Sequence, residues 1–137
     1  MPRVIGIDPG SLNFDLCGIQ GDHIFLDESI PSKLAAQDIR KLVDPIRAAG
    51  PVDLIVGPSG YGLPLTPVEN IGERELFLMT LVEAKERKHI PVLAAMEALT
   101  DWAQIEKLPL WFTPAVVHLP TVPCWRRRRS GPPWKTI

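Results

Sequence analysis

The chain has 137 residues, 15 of them proline, and sets 15 basic side chains against 16 acidic ones. With 45% hydrophobic and 23% charged residues, it has the composition of one folded domain. That excludes intrinsic disorder and is short for a two-lobed enzyme. The apolar runs are too short to span a bilayer, and Met1-Pro2-Arg3 leads straight into a strand-like run, so neither a membrane helix nor a secretory signal is expected. Cys17 and Cys124 show no paired spacing, which argues against a disulfide framework or a zinc site and makes a reducing cytoplasm the expected location.

Taken in chain order, Arg3 to Asp8 is a short β-branched run that ends in Asp8-Pro9-Gly10-Ser11. Pro9 biases Asp8 toward extended geometry, and Gly10 permits a sharp turn. Phe14 to Gln20 reads as a second strand, Gly21-Asp22 as a hairpin turn, and His23 to Asp27 as the returning third strand. Ser32 to Gly50 carries a helical pattern, with Ser32 as N-cap, Gly50-Pro51 as the stop, and a break or kink expected at Asp44-Pro45. Its inward residues are Ala35, Ile39, Leu42, Ile46 and Ala49.

Val52 to Val56 has the apolar character of a buried central strand. A glycine- and proline-rich loop follows from Gly57 to about Gly72. Glu73 to Lys88 reads as one helix with Leu76, Phe77, Leu81 and Ala84 inward, and Pro91 opens another with Val92, Met96, Leu99 and Ala103 on one face. Leu110 to Val117 is a last strand-like stretch interrupted by Pro114.

The order β-β-β-α-β-α-α-β describes an α/β fold, a mixed sheet with helices packed on it. The crossover rule places the fourth strand parallel to the first, on its far side from the second. That is the ribonuclease H-like topology.

In this topology the loops after strands one and four meet at one end of the sheet, where open α/β folds bind ligands. Asp8 is placed there to hold Mg²⁺ or its water shell. Gly10, Ser11 and Asn13 offer backbone amides, a hydroxyl and an amide to phosphate oxygens, although Asp-Pro-Gly-Ser is also an ordinary turn. Ser59, Gly60 and Tyr61 read either as a surface loop or as a backbone that approaches substrate with the Tyr61 ring as a wall. His118 reads either as a satisfied core residue or as part of the site.

The charge is unevenly spread. Residues 125–137 hold five basic residues (Arg126, Arg127, Arg128, Arg129 and Lys135) and no acid, which leaves ten basic against sixteen acidic side chains in residues 1–124. Four arginines among Ser, Gly and Pro at a terminus read as a solvated tail, so nucleic acid is not the expected partner.

Two resemblances bear on function. Val4 to Ser11 resembles the opening strand of RuvC-type Holliday junction resolvases, which implies a Mg²⁺-dependent nuclease. That family needs a Glu at the end of the fourth strand, and here Val56-Gly57-Pro58-Ser59 carries no acid. A longer resemblance runs over residues 3–123, through Val4 to Ser11, Phe14 to Gly18, Phe25 to Asp27, Asp53 to Pro64 and Val116 to Pro123. It is to an archaeal family of uncharacterised proteins described as predicted butyrate kinases, in the acetate and sugar kinase/Hsp70/actin superfamily. This implies phosphoryl transfer between ATP and a short-chain carboxylate or its acyl phosphate. Asp8 would hold Mg²⁺ through water, Gly10, Ser11 and Asn13 would meet the phosphoryl group, and Ser59, Gly60, Tyr61 and Thr121 would contact substrate. His118 is similarly placed to an active-site histidine of acetate kinases and would stabilise charge.

The resemblance implies residues 1–123 as an N-terminal lobe and 124–137 as a basic tail without fixed structure. The second lobe and its adenosine pocket are missing from this resemblance, and a reading frame shifted near Cys124 would account for that. A non-catalytic association module is the third reading, with a homodimer formed through the surface a second lobe would cover.

Overall fold

The computed structural model describes residues 1–114. Strands β1 (Arg3–Pro9), β2 (Asn13–Gln20) and β3 (His23–Pro31) form the expected antiparallel meander. Strand β4 (Leu54–Pro58) lies parallel to β1 on the side away from β2, and β6 (Leu110–Thr113) lies parallel to β4. The Gly57–Gly72 loop also contains a two-residue strand that the sequence did not reveal, β5 (Thr66–Pro67), which pairs antiparallel with β6. The strand order β3-β2-β1-β4-β6-β5 is a six-stranded mixed sheet of ribonuclease H-like arrangement. Residues 115–117 of the expected last strand lie outside the described residues.

The helices depart from expectation for local reasons. Ser32–Gly50 forms two helices, α1 (Ser32–Gln37) and α2 (Arg40–Ala48), and the break falls at Asp38-Ile39 rather than at Pro45. Asp38 is extended (φ −150°), and its carboxylate accepts hydrogen bonds from the Arg40 amide at 3.1 Å and the Arg40 guanidinium at 3.0 Å. That side chain offers the backbone an alternative to continued helix, and α2 begins after Ile39, its N-cap. Pro45 stays inside α2, where it forfeits one helical hydrogen bond.

The single helix expected over Glu73–Lys88 is likewise two, α3 (Glu73–Thr80) and α4 (Ala84–Arg87). The Thr80 hydroxyl donates to the Leu76 carbonyl at 2.8 Å and accepts from the Val82 amide at 3.2 Å, and Leu81 ends α3 in the left-handed region (φ 58°). Leu76 and Met79 therefore face the core, while Phe77 is exposed and Leu81 and Ala84 fall in or beyond the break. Helix α5 (Pro91–Ile105) begins at its proline and buries Met96, Leu99 and Ala103 as expected.

The crossovers β3 to β4 and β4 to β6 step across the sheet in the same direction, so right-handed connections put their helices on one face. Burial agrees. Ile5, Ile7, Phe14, Leu16, Ile55 and Phe112 from the sheet share one core with Ala35, Leu42, Met79 and Leu99 from the helices. The alternate sheet residues Val4, Gly6, Asp8, Asp15, Cys17, Val56, Trp111 and Thr113 are half-buried or exposed. Among the described residues no helix is long and apolar enough to cross a membrane.

Candidate functional site

Alternation along β1 and β2 decides what stands at the sheet end. Ile5 and Ile7 go inward from β1, and Phe14 and Leu16 from β2, so Asp8, Asp15 and Cys17 stand on the opposite face. Asp8 and Asp15 are cross-strand partners, directly opposite each other. Among the described residues neither carboxylate makes an ion pair. The two line an open pocket of about 420 Å³, together with Gly6, Cys17, Gly57, Pro58 and Thr113. The loops after β1 and β4 thus meet there as far as Pro58, and the Thr113 hydroxyl, donating to the Gly57 carbonyl at 3.3 Å, ties β6 to the same rim.

The turn between β1 and β2 is held from below. The Gly10 amide donates to the Asn13 carbonyl at 2.9 Å, and a Cβ at Gly10 would press on that same oxygen. Ser32, fully buried, donates its hydroxyl to the Gly10 carbonyl at 2.6 Å and its amide to the Leu12 carbonyl at 2.8 Å. Ser32 is therefore not the side-chain cap expected of it. It pins the start of α1 to the turn beside Asp8. The Gly10 amide is engaged within the turn, which leaves the exposed side chains of Ser11 and Asn13 as the polar groups it presents.

The second candidate loop turns away from this face. Ser59 is 1% exposed and donates its hydroxyl to the Leu63 carbonyl at 3.0 Å. Gly60 has φ +65°, and a Cβ there would collide with the Met79 carbonyl at the end of α3. The Tyr61 amide donates to that carbonyl at 3.2 Å. The close backbone approach expected of Ser59-Gly60-Tyr61 is therefore made to α3 inside the fold. His118 and Thr121 lie outside the described residues.

Asp15 is the site residue that sequence reasoning missed. Its signal was present: placing Phe14 and Leu16 inward forces Asp15 outward, and the hairpin register sets it opposite Asp8. Ser32 gave no comparable signal. Among the described residues no group of three or more His, Cys, Asp or Glu side chains could hold a metal. The donor set in the pocket is two carboxylates, and the turn that joins their strands exposes the side chains of Ser11 and Asn13.

A comparison with curated proteins gives no match. Residues 6–130 match the family described as Protein of unknown function (DUF1464), a span that takes in the arginine run at 126–129. That span is most of the chain, and the protein belongs to this family.

Proposed function

We propose that the chain is the phosphate-facing lobe of a kinase for short-chain carboxylates of the butyrate or acetate type. The observation that carries this reading is the Asp8–Asp15 pair, opposed across β1 and β2 over an open pocket at the sheet end. Like charges directly opposite on antiparallel strands cost roughly 0.2–1 kcal/mol, which a bound cation reverses. Mg²⁺ is held by one or two carboxylates, with water and phosphate oxygens completing its shell, so this donor set fits it. Bound there it would draw negative charge from the oxygens of a phosphoryl group.

Asp8 would hold the cation through water, Asp15 would support it from the neighbouring strand, and Ser11 and Asn13 would orient the phosphoryl oxygens. Catalysis by such a lobe is positioning and electrostatics, with little covalent work for the protein. His118 and Thr121 enter by resemblance alone, and ATP would need the adenosine pocket of a second lobe. A two-metal nuclease asks for further carboxylates, whereas the outward positions of β4 are Val56 and Pro58.

Calorimetric titration of the full chain with butyryl phosphate, with and without Mg²⁺, tests the reading. Mg²⁺-dependent binding that Asp8→Asn abolishes is expected. Absence of any Mg²⁺-dependent heat, or binding indifferent to Asp8→Asn, would overturn it.

A further inference from the structure

Cross-strand pairing arranges the sheet face away from the helices in rows. Asp8 and Asp15 share one row, Val56, Gly6 and Cys17 the next, and Leu54, Val4 and Ile19 the third. Gly6 differs from its neighbours in placing no side chain on the face. It sits in the middle of β1, which pairs with β2 on one side and β4 on the other. Glycine inside a paired strand weakens it, and marks a bulge, a bend or the close approach of another group. Gly10 and Gly18 have steric reasons within the fold, since a Cβ would press on the Asn13 carbonyl at the first and on the Phe25 ring at the second. Gly6 has none. Its φ is not positive, and among the described residues beyond its chain neighbours a Cβ there would meet the Cys17 carbonyl oxygen alone, at an ordinary 3.9 Å. The missing side chain leaves a slot floored by the backbone of β1 and flanked by Val56 and Cys17, which line the same pocket as Asp8 and Asp15.

We propose that this slot is the acyl subsite, in which a butyryl chain lies along β1 over Gly6 with its head group at the Asp8–Asp15 end. The inference rests on the reading of that pair as a cation site, and it selects butyrate over acetate as the substrate type. Geometry sets both width and length. Val56 and Cys17 stand on the strands either side of β1, roughly 10 Å apart at the usual strand spacing, which admits one hydrocarbon chain between their side chains. Gly6 lies about 7 Å along the strand from Asp8, and Val4, half-buried on the same face, about 13 Å. An acetyl group held at Asp8 stops short of the glycine, a butyryl chain reaches over it, and a much longer chain runs into Val4. The walls suit an apolar tail. One is the Val56 side chain and the other the Cys17 thiol, which packs as a small hydrophobe. The next charge in that row, Asp27, stands beyond Cys17 on β3.

The ratio of affinities for butyryl and acetyl phosphate, measured by calorimetry on the full chain with Mg²⁺ present, is the readout. Inorganic phosphate is titrated alongside. Wild type should bind butyryl phosphate about tenfold more tightly than acetyl phosphate, the gain from burying most of two methylene groups. Gly6→Val fills the slot and should bring that ratio to within about twofold of one. Gly6→Ala, which fills it in part, should fall between the two, and it carries the test if circular dichroism shows the valine variant to be unfolded. A butyryl preference that the folded variants keep would overturn the subsite. Equal, Mg²⁺-dependent binding of both acyl phosphates by wild type would also overturn it, while leaving the cation site standing. Absence of Mg²⁺-dependent binding of all three ligands would overturn the cation site itself, and the subsite with it.

Discussion

Arg87 is the largest fully buried side chain in the described core, and its surroundings set up an asymmetric prediction. Its guanidinium donates to the Val82 carbonyl at 2.8 Å and to the Glu73 carboxylate, and Nε lies 3.5 Å from Glu97 without a hydrogen bond. Burial opposes its charge, but the contacts with Glu73 and Glu97 outweigh burial and hold its pKa above the usual value. The partners differ in kind: Arg87 is 0% exposed, whereas Glu73 is 60% and Glu97 30% exposed. Arg87→Met leaves two carboxylates that water can solvate, loses one hydrogen bond to a carbonyl, and keeps the volume filled. Its cost should be no more than about 1.5 kcal/mol. Glu73→Gln with Glu97→Gln leaves a buried cation without counter-charge. Removing one partner of a buried pair costs 3–5 kcal/mol, and screening at the exposed Glu73 brings the expected loss to about 2–3 kcal/mol. Equilibrium urea unfolding of the three proteins, compared at equal m-values, measures both. If Arg87→Met proves more damaging than the double glutamine variant, the reasoning from burial is wrong.

Two further outcomes follow from the same structure. Gly60→Ala must adopt a left-handed backbone and place its Cβ on the Met79 carbonyl, so it should destabilise by more than the roughly 1–2 kcal/mol of left-handed strain alone; a thermal melt within about 1 kcal/mol of wild type would contradict this. The Asp101 pKa is raised, first by the partial desolvation of its exposed carboxylate and then by the neighbouring Glu97. The native state therefore binds the proton more readily than the unfolded chain, and its stability falls as pH rises from 3.8 through the raised value. Asp101→Asn should match wild type in Tm below that window and exceed it at neutral pH, whereas a variant less stable at neutral pH would show the sign to be wrong.

The meander, the parallel placement of β4 and the burial of α5 were legible because each rests on one periodicity read against a single buried face. Asp8 was legible for the same reason, as a carboxylate that ends an apolar strand. The helix breaks were not, since they are decided by side-chain bonds to nearby backbone. Asp38 competes with continued helix at one break and Thr80 at the other, and neither leaves a mark in hydrophobic spacing. Pro45 misled because its cost is one hydrogen bond, which α2 absorbs. The Ser59–Gly62 loop was legible as loop but not as to what its glycines approach. A glycine forced by a close neighbour looks the same in sequence whether the neighbour is a ligand or the carbonyl of Met79. Asp15 lay within reach, because it follows from the hairpin register that places Asp8.

The central claim is that Asp8 and Asp15 together hold a divalent cation at the end of the sheet. Paramagnetic broadening of backbone amide signals by Mn²⁺, used in place of Mg²⁺ on the full chain, reads this residue by residue. The account predicts selective broadening around Asp8, the Gly10–Asn13 turn, Asp15 and Gly57, reversed by excess Mg²⁺ and lost in Asp8→Asn. Broadening centred on another acidic patch, such as Glu73 and Glu97, or a pattern that Asp8→Asn leaves unchanged, would contradict it.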